Sequence, residues 1–103
     1  MPVDELPSPD EFELGSVMYA LSDLTRLEIV RELAGARGPM TCSALLGDRP
    51  KSSMSHHFKI LRQAGIIETT VEGKEHFNRL RRRDLESRFP GLLKSVTRAL
   101  RTG

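Results

Sequence analysis

The sequence predicts a small, mostly α-helical domain that carries one two-stranded β-hairpin, on three observations. Apolar residues recur at helical spacing over most of the chain. A single β-branched run, Ile66 to Val71, stands apart from them and is followed by the turn Glu72-Gly73-Lys74, with Glu75 to Leu80 able to return beside it. The length, 103 residues, leaves room for one domain and not for two.

The first helix is signalled by Ser8 as its cap, Pro9 at its first position and Glu11 three residues after Ser8, as in a capping box. Leu14, Val17, Met18 and Leu21 continue it as one apolar stripe. A second helix spans Leu24 to Ala36, capped by Ser22 or Asp23, with Leu27, Val30, Leu33 and Ala34 inward, and ends at Gly38 and Pro39. Thr41 caps a short third helix that stops at Gly47, and Gly47 to Pro50 is a turn. The fourth helix runs from Ser52 to Ala64, with Gly65 placed to end it in a left-handed conformation. After the hairpin a last helix begins near Pro90, with Phe89, Leu92, Leu93, Val96 and Leu100 as its stripe, and Asp84 to Phe89 forms a separate turn or short helix. The expected order is therefore four helices, two strands and a fifth helix. Residues 1–8 read as an acidic arm and residues 9–103 as the folded domain.

Hydrophobic residues are 38% of the chain and aromatics 5%, so the core is modest and aliphatic, and a second subunit would supply missing core. No run approaches the roughly 18 apolar residues of a membrane span, and no segment resembles a signal peptide. Cys42, the one cysteine, cannot close an intrachain disulfide, which suits a reducing, cytoplasmic compartment. The net charge is only +2, but its distribution is uneven. Asp4, Glu5, Asp10, Glu11 and Glu13 stand without a base before Leu14, whereas Arg49 to Arg83 carries nine bases against Glu68, Glu72 and Glu75. Such a separation suits a face that meets a polyanion, although a basic stretch can also be a merely solvated surface.

Two helices joined by a short turn and followed at once by a hairpin make a winged helix-turn-helix, whose second helix normally lies in the DNA major groove. In the fourth helix Met54, Phe58 and Leu61 are spaced to face the core, leaving Ser52, Ser55, His56 and Lys59 on the other side. Small hydroxyls near the helix start let the backbone approach phosphate, and His56 and Lys59 can reach bases or the sugar-phosphate chain. Lys74, at the hairpin tip, can contact an adjacent minor groove or its phosphates.

Ala20 to Val30, Met54 to Ile67 with its Ser-His-His start, and the Glu-Gly-Lys wing turn resemble the ArsR/SmtB group of bacterial winged-helix repressors. The resemblance covers Ala20 to Leu80 and implies a homodimer joined through its first and last helices, which binds an imperfect palindrome in double-stranded DNA. It places Lys51, Ser52, Ser55 and His56 at positions that touch DNA; Ser53 and Arg62 on the same helix complete the expected DNA-binding set with Lys59 and Lys74. The dimer is expected to use Leu14, Val17, Met18 and Leu21 with Leu93, Val96 and Leu100, stripes that would be exposed on a monomer. Leu24 departs from the family, which often has proline there.

The same resemblance raises metal sensing, and the residues argue against it. The third helix holds Cys42 alone, and from Pro90 onward there is no His, Asp, Glu or Cys. A soft-metal site needs about three or four ligands. Neighbouring helical residues point about 100° apart, so His56 and His57 do not chelate together; His56 reads as exposed, His57 as partly packed and His76 as a surface strand residue. Cys42 reads as a small half-buried residue, with a redox-responsive role as the alternative. No glycine-rich phosphate loop is present, and Ser53, Ser55, His56 and His57 lie together only because they share a helix. Asp84 and Glu86 read as solvated surface. An enzyme, a metal and a cofactor are therefore not expected. The expected function is a dimeric DNA-binding regulator, a repressor with an unidentified small-molecule inducer if any; the alternative is a winged helix used as a protein-interaction module.

Overall fold

The computed structural model describes residues 6–102, so Asp4 and Glu5 of the acidic arm lie outside the described residues. A 3-10 turn, Pro9–Glu11, precedes α1 (Leu14–Ala20) and α2 (Leu24–Gly35). A two-residue strand β1 (Met40–Thr41) leads into α3 (Cys42–Leu46) and α4 (Lys51–Gln63). The hairpin is β2 (Ile67–Glu72) and β3 (Glu75–Leu80), followed by α5 (Arg82–Arg88) and α6 (Leu92–Thr102).

The opening differs from the single helix expected after Ser8. The Glu11 carboxylate accepts the Ser8 backbone N–H at 2.8 Å and its hydroxyl at 3.0 Å, which holds its pKa below the ordinary carboxylate range. The helix nevertheless ends after one turn, and Phe12 and Glu13 are extended. The cause is Phe12, whose buried ring packs against Gly65 and lies 4.8 Å beneath the Arg81 guanidinium. Arg81 also donates to the Pro7 carbonyl at 2.8 Å and pairs with Asp84 at 3.0 Å, so this entry segment is strapped onto α5.

The second helix begins and ends close to the expected residues. Asp23 is its cap, accepting the Arg26 N–H at 3.0 Å. Thr41 caps α3 in the same way, accepting the Ala44 N–H at 3.1 Å. At the end of α4, Gly65 adopts φ +87°, where a side chain would be strained.

Strand β1 was not expected. It adds to the outer edge of β3, with Met40 opposite Asn78 and Thr41 opposite Phe77, so the hairpin becomes a three-stranded antiparallel sheet in the order β1-β3-β2. Two residues carry no periodicity to read. The separate short segment expected before the last helix is α5, a helix that starts at Arg82, and Gly91, at φ +85°, turns the chain before α6 begins at Leu92.

The core lies between the helices and one face of the sheet, built from Val17, Ile29, Leu33, Met54, Phe58, Leu61, Ile66, Ile67, Leu85 and their neighbours. This changes the reading of the terminal stripes. Val17 is 1% exposed and Leu93 9%, so the chain itself covers both, and Leu21 and Leu100 pack partly against the same core. Helices α5 and α6 fold back and supply cover that periodicity within one helix cannot reveal: Leu85 of α5 and Leu92 and Leu93 of α6 close over Val17 and Leu21. Val96 is half-buried, while Leu14 and Met18 remain open, at 52% and 53%.

Candidate nucleic-acid interface

Helix α4 divides between core and solvent as its spacing requires. Met54, Phe58 and Leu61 are buried, whereas Lys51, Ser52, Ser53, Ser55, His56 and Lys59 are exposed. Pro50 caps the helix without a side-chain hydrogen bond, and Ser53 donates its hydroxyl back to the Pro50 carbonyl at 3.1 Å. The first turn thus offers N–H groups at the positive end of the helix dipole beside a lysine and small hydroxyls, an arrangement suited to phosphate.

Two contacts hold α4 against α2. At its entrance, Arg49 forms an ion pair with Glu28. In its middle, buried Arg26 donates from Nη1 to His57 Nδ1 at 3.1 Å. The remaining Arg26 donors reach the Ala20 carbonyl at 2.7 Å and the Tyr19 carbonyl at 3.2 Å, so the same side chain closes the C-terminal end of α1. Asp23 lies 3.8 Å from His57 Nδ1, and its own pKa is lowered, first by the Arg26 backbone hydrogen bond and further by the nearby Arg26 charge. A signal for this buried arginine was present: Arg26, Ile29, Val30 and Leu33 follow one helical stripe, with a cation in an otherwise apolar set.

The wing turns on Gly73, at φ +65°, while Lys74 keeps a negative φ. A positive φ at the first central residue alone is the pattern of a type II′ hairpin turn, whose twist suits the paired strands. Lys74 is exposed at its tip. Lys51 and Ser55 from α4 and Lys74 from the wing line a common cleft, so the helix start and the wing tip present their cations to one side of the molecule. Arg62 is set apart, in the last turn of α4 and about 16 Å along the helix from Lys51.

The histidines are placed as their positions suggested. His56 and His76 are exposed and His57 is half-buried. The His56 and His57 rings are 6.0 Å apart and tilted by 52°, one toward solvent and one toward Arg26. Cys42 is half-buried, and its sulfur accepts Asn78 Nδ2 at 3.2 Å. Among the described residues, no three His, Cys, Asp or Glu side chains are grouped so as to hold a metal ion.

A helix-turn-helix domain family matches residues 21–70, which span α2 to the middle of β2. The HTH-type transcriptional regulator YceK of Bacillus subtilis (strain 168), described as uncharacterized, is 31% identical over 83 residues, covering 78% of this chain and 82% of that protein. Among solved structures, the ArsR family transcriptional regulator RHA00566 superposes with a TM-score of 0.66 at 25% identity, covering 87% of this chain and 97% of the other. An ArsR-like transcriptional regulator from Rhodococcus sp. RHA1 gives 0.62 at 30% identity, with 86% and 84% covered. The helix pair, the wing and these likenesses agree: the chain belongs to the ArsR family of winged helix-turn-helix transcriptional regulators.

Proposed function

We propose that the protein is a homodimeric repressor that binds a palindromic operator, with the exposed side of α4 in the major groove and the wing at the neighbouring backbone. The observation that carries this reading is the convergence of Lys51, Ser55 and Lys74 on one cleft beside exposed Ser52, His56 and Lys59. Ser55 and His56 are assigned to bases, Lys59 and Lys74 mainly to phosphates, and Lys51, Ser52 and Ser53 to the backbone near the helix start. Arg62 is assigned an outlying phosphate.

Exposed Leu14 and Met18 on α1, with half-buried Val96 and Leu100 on α6, form the proposed contact between subunits. A two-fold axis there would set two copies of α4 on successive turns of one DNA face, about 34 Å apart. No helix among the described residues is long and apolar enough to cross a membrane. The proposed place of action is the cytoplasm, and the activity is binding without catalysis.

The test is fluorescence anisotropy on a footprinted operator and on unrelated duplex. His56→Ala or Ser55→Ala is expected to weaken the operator complex by about 1 to 3 kcal/mol and leave unrelated DNA nearly unchanged. A protein that ignores its own promoter and genomic DNA at about 50 mM salt, where phosphate contacts are strongest, is an interaction module and not a repressor.

A further inference from the structure

The inner face of the hairpin has rungs Ile67–Leu80, Thr69–Asn78 and Val71–His76. The first two are buried: Ile67 and Leu80 in the apolar core, Thr69 donating to Asn78 Oδ1 at 2.6 Å. At the third rung the helices no longer cover the sheet, and His76 is exposed. The same face therefore opens into a cleft of about 330 Å³ between α3, the first half of α4 and the wing. Leu46, Met54 and Phe58 give it an apolar wall, Lys51 and Lys74 stand on opposite sides, and Glu75 is its one carboxylate. That volume lies at the small end of ligand pockets, which combine an apolar lining with a few placed polar groups.

We propose that this cleft binds a small organic anion with an apolar body, its acid group between Lys51 and Lys74, and that occupancy releases DNA. The regulatory half rests on the DNA-binding reading above, because Lys51, Ser55 and Lys74 are shared between the cleft and the proposed interface. An anion seated there takes the charge those lysines would give to phosphate. It also wedges the wing away from α4, whose spacing a groove and its backbone must match.

Anilinonaphthalenesulfonate serves as the probe, with phenylnaphthylamine as the same body without the acid. Cys42, the only cysteine of the chain and part of the cleft lining, reports occupancy through its rate of alkylation by iodoacetamide. The anionic dye is expected to bind once per chain, at least about tenfold more tightly than the neutral one, and to slow Cys42 alkylation. Ser43→Trp, which fills the cleft from its exposed α3 wall, should abolish dye binding. Adding operator should displace the dye. Unchanged Cys42 alkylation, or equal dye binding by Ser43→Trp, would overturn the site and place the dye on the exposed α1 residues. Dye and operator bound together without mutual weakening would overturn the regulation. The dye arms contain no DNA, and operator binding is measured without dye, so a failure of the repressor reading is seen separately.

Discussion

Arg26 and His57 meet across α2 and α4 at 3.1 Å, with the imidazole Nδ1 as acceptor. The accepting nitrogen carries no proton, so the neutral ring has its N–H on Nε2. Adjacent histidines on one helix thus have unlike surroundings: His57 holds α4 against α2, and His56 faces solvent, on the side proposed to meet DNA.

The two alanine variants should separate. His57→Ala is expected to destabilise the fold by about 1 to 2 kcal/mol, because a buried guanidinium donor loses its acceptor, whereas His56→Ala leaves urea unfolding unchanged and weakens only the operator. Arg26→Met should cost more than His57→Ala, since it also strips hydrogen bonds from the Ala20 and Tyr19 carbonyls. Equal midpoints for all three variants would refute this division of roles.

The Asp23 cap makes part of the stability acid-sensitive. Its pKa is lowered on folding, so its contribution is complete above the ordinary value of 3.8 and is lost as pH falls through the lower folded value. Asp23→Ala should destabilise by about 1 kcal/mol at neutral pH, and Asp23→Asn, which still caps, by less. Urea titrations at neutral and acidic pH should show the asparagine variant losing less stability than wild type on acidification.

Gly65 is constrained twice, by its left-handed φ and by Phe12, whose ring overlaps the place a Cβ would take. Gly65→Ala is expected to destabilise by about 2 to 4 kcal/mol, combining backbone strain with overpacking. Gly73 shares the left-handed φ but faces open space, so Gly73→Ala should cost only about 1 to 2 kcal/mol. Thermal unfolding of the pair measures the part due to Phe12.

Association and folding should be separable on α1. Leu14→Glu with Met18→Glu is expected to give a folded monomer of about half the dimer mass by sedimentation equilibrium, because isologous contacts present each charge twice. Val17→Ala, one residue from Met18 but inside the core, should instead lower stability by about 1 to 3 kcal/mol. A wild-type monomer up to roughly 100 µM, far above specific DNA-binding concentrations, would remove the dimer.

Phosphate and base contacts should differ in their salt response. Lys59→Ala and Lys74→Ala are each expected to weaken operator and unrelated DNA alike and to reduce the salt slope by about one unit. An unchanged slope for Lys74→Ala would detach the wing tip from the backbone.

Much of this protein is determined locally and was therefore legible. Asp23 and Thr41 bond to N–H groups three residues on, Gly65 and Gly73 take positive φ where helix and hairpin turn, and Met54, Phe58 and Leu61 repeat at helical spacing. Each of these depends on a few neighbouring residues, and so the helix pair, the wing and the outward face of α4 follow from the chain alone. Contacts between distant segments do not. Met40 finds β3 only when the sheet exists, Phe12 leaves its helix because Gly65 admits its ring, and Val17 and Leu93 are covered because α5 turns α6 back over α1. The cleft beside Cys42 arises where the hairpin outruns the helices packed on it. Periodicity tells which residues of one element share a face; only tertiary packing decides which other element covers that face, and where it stops.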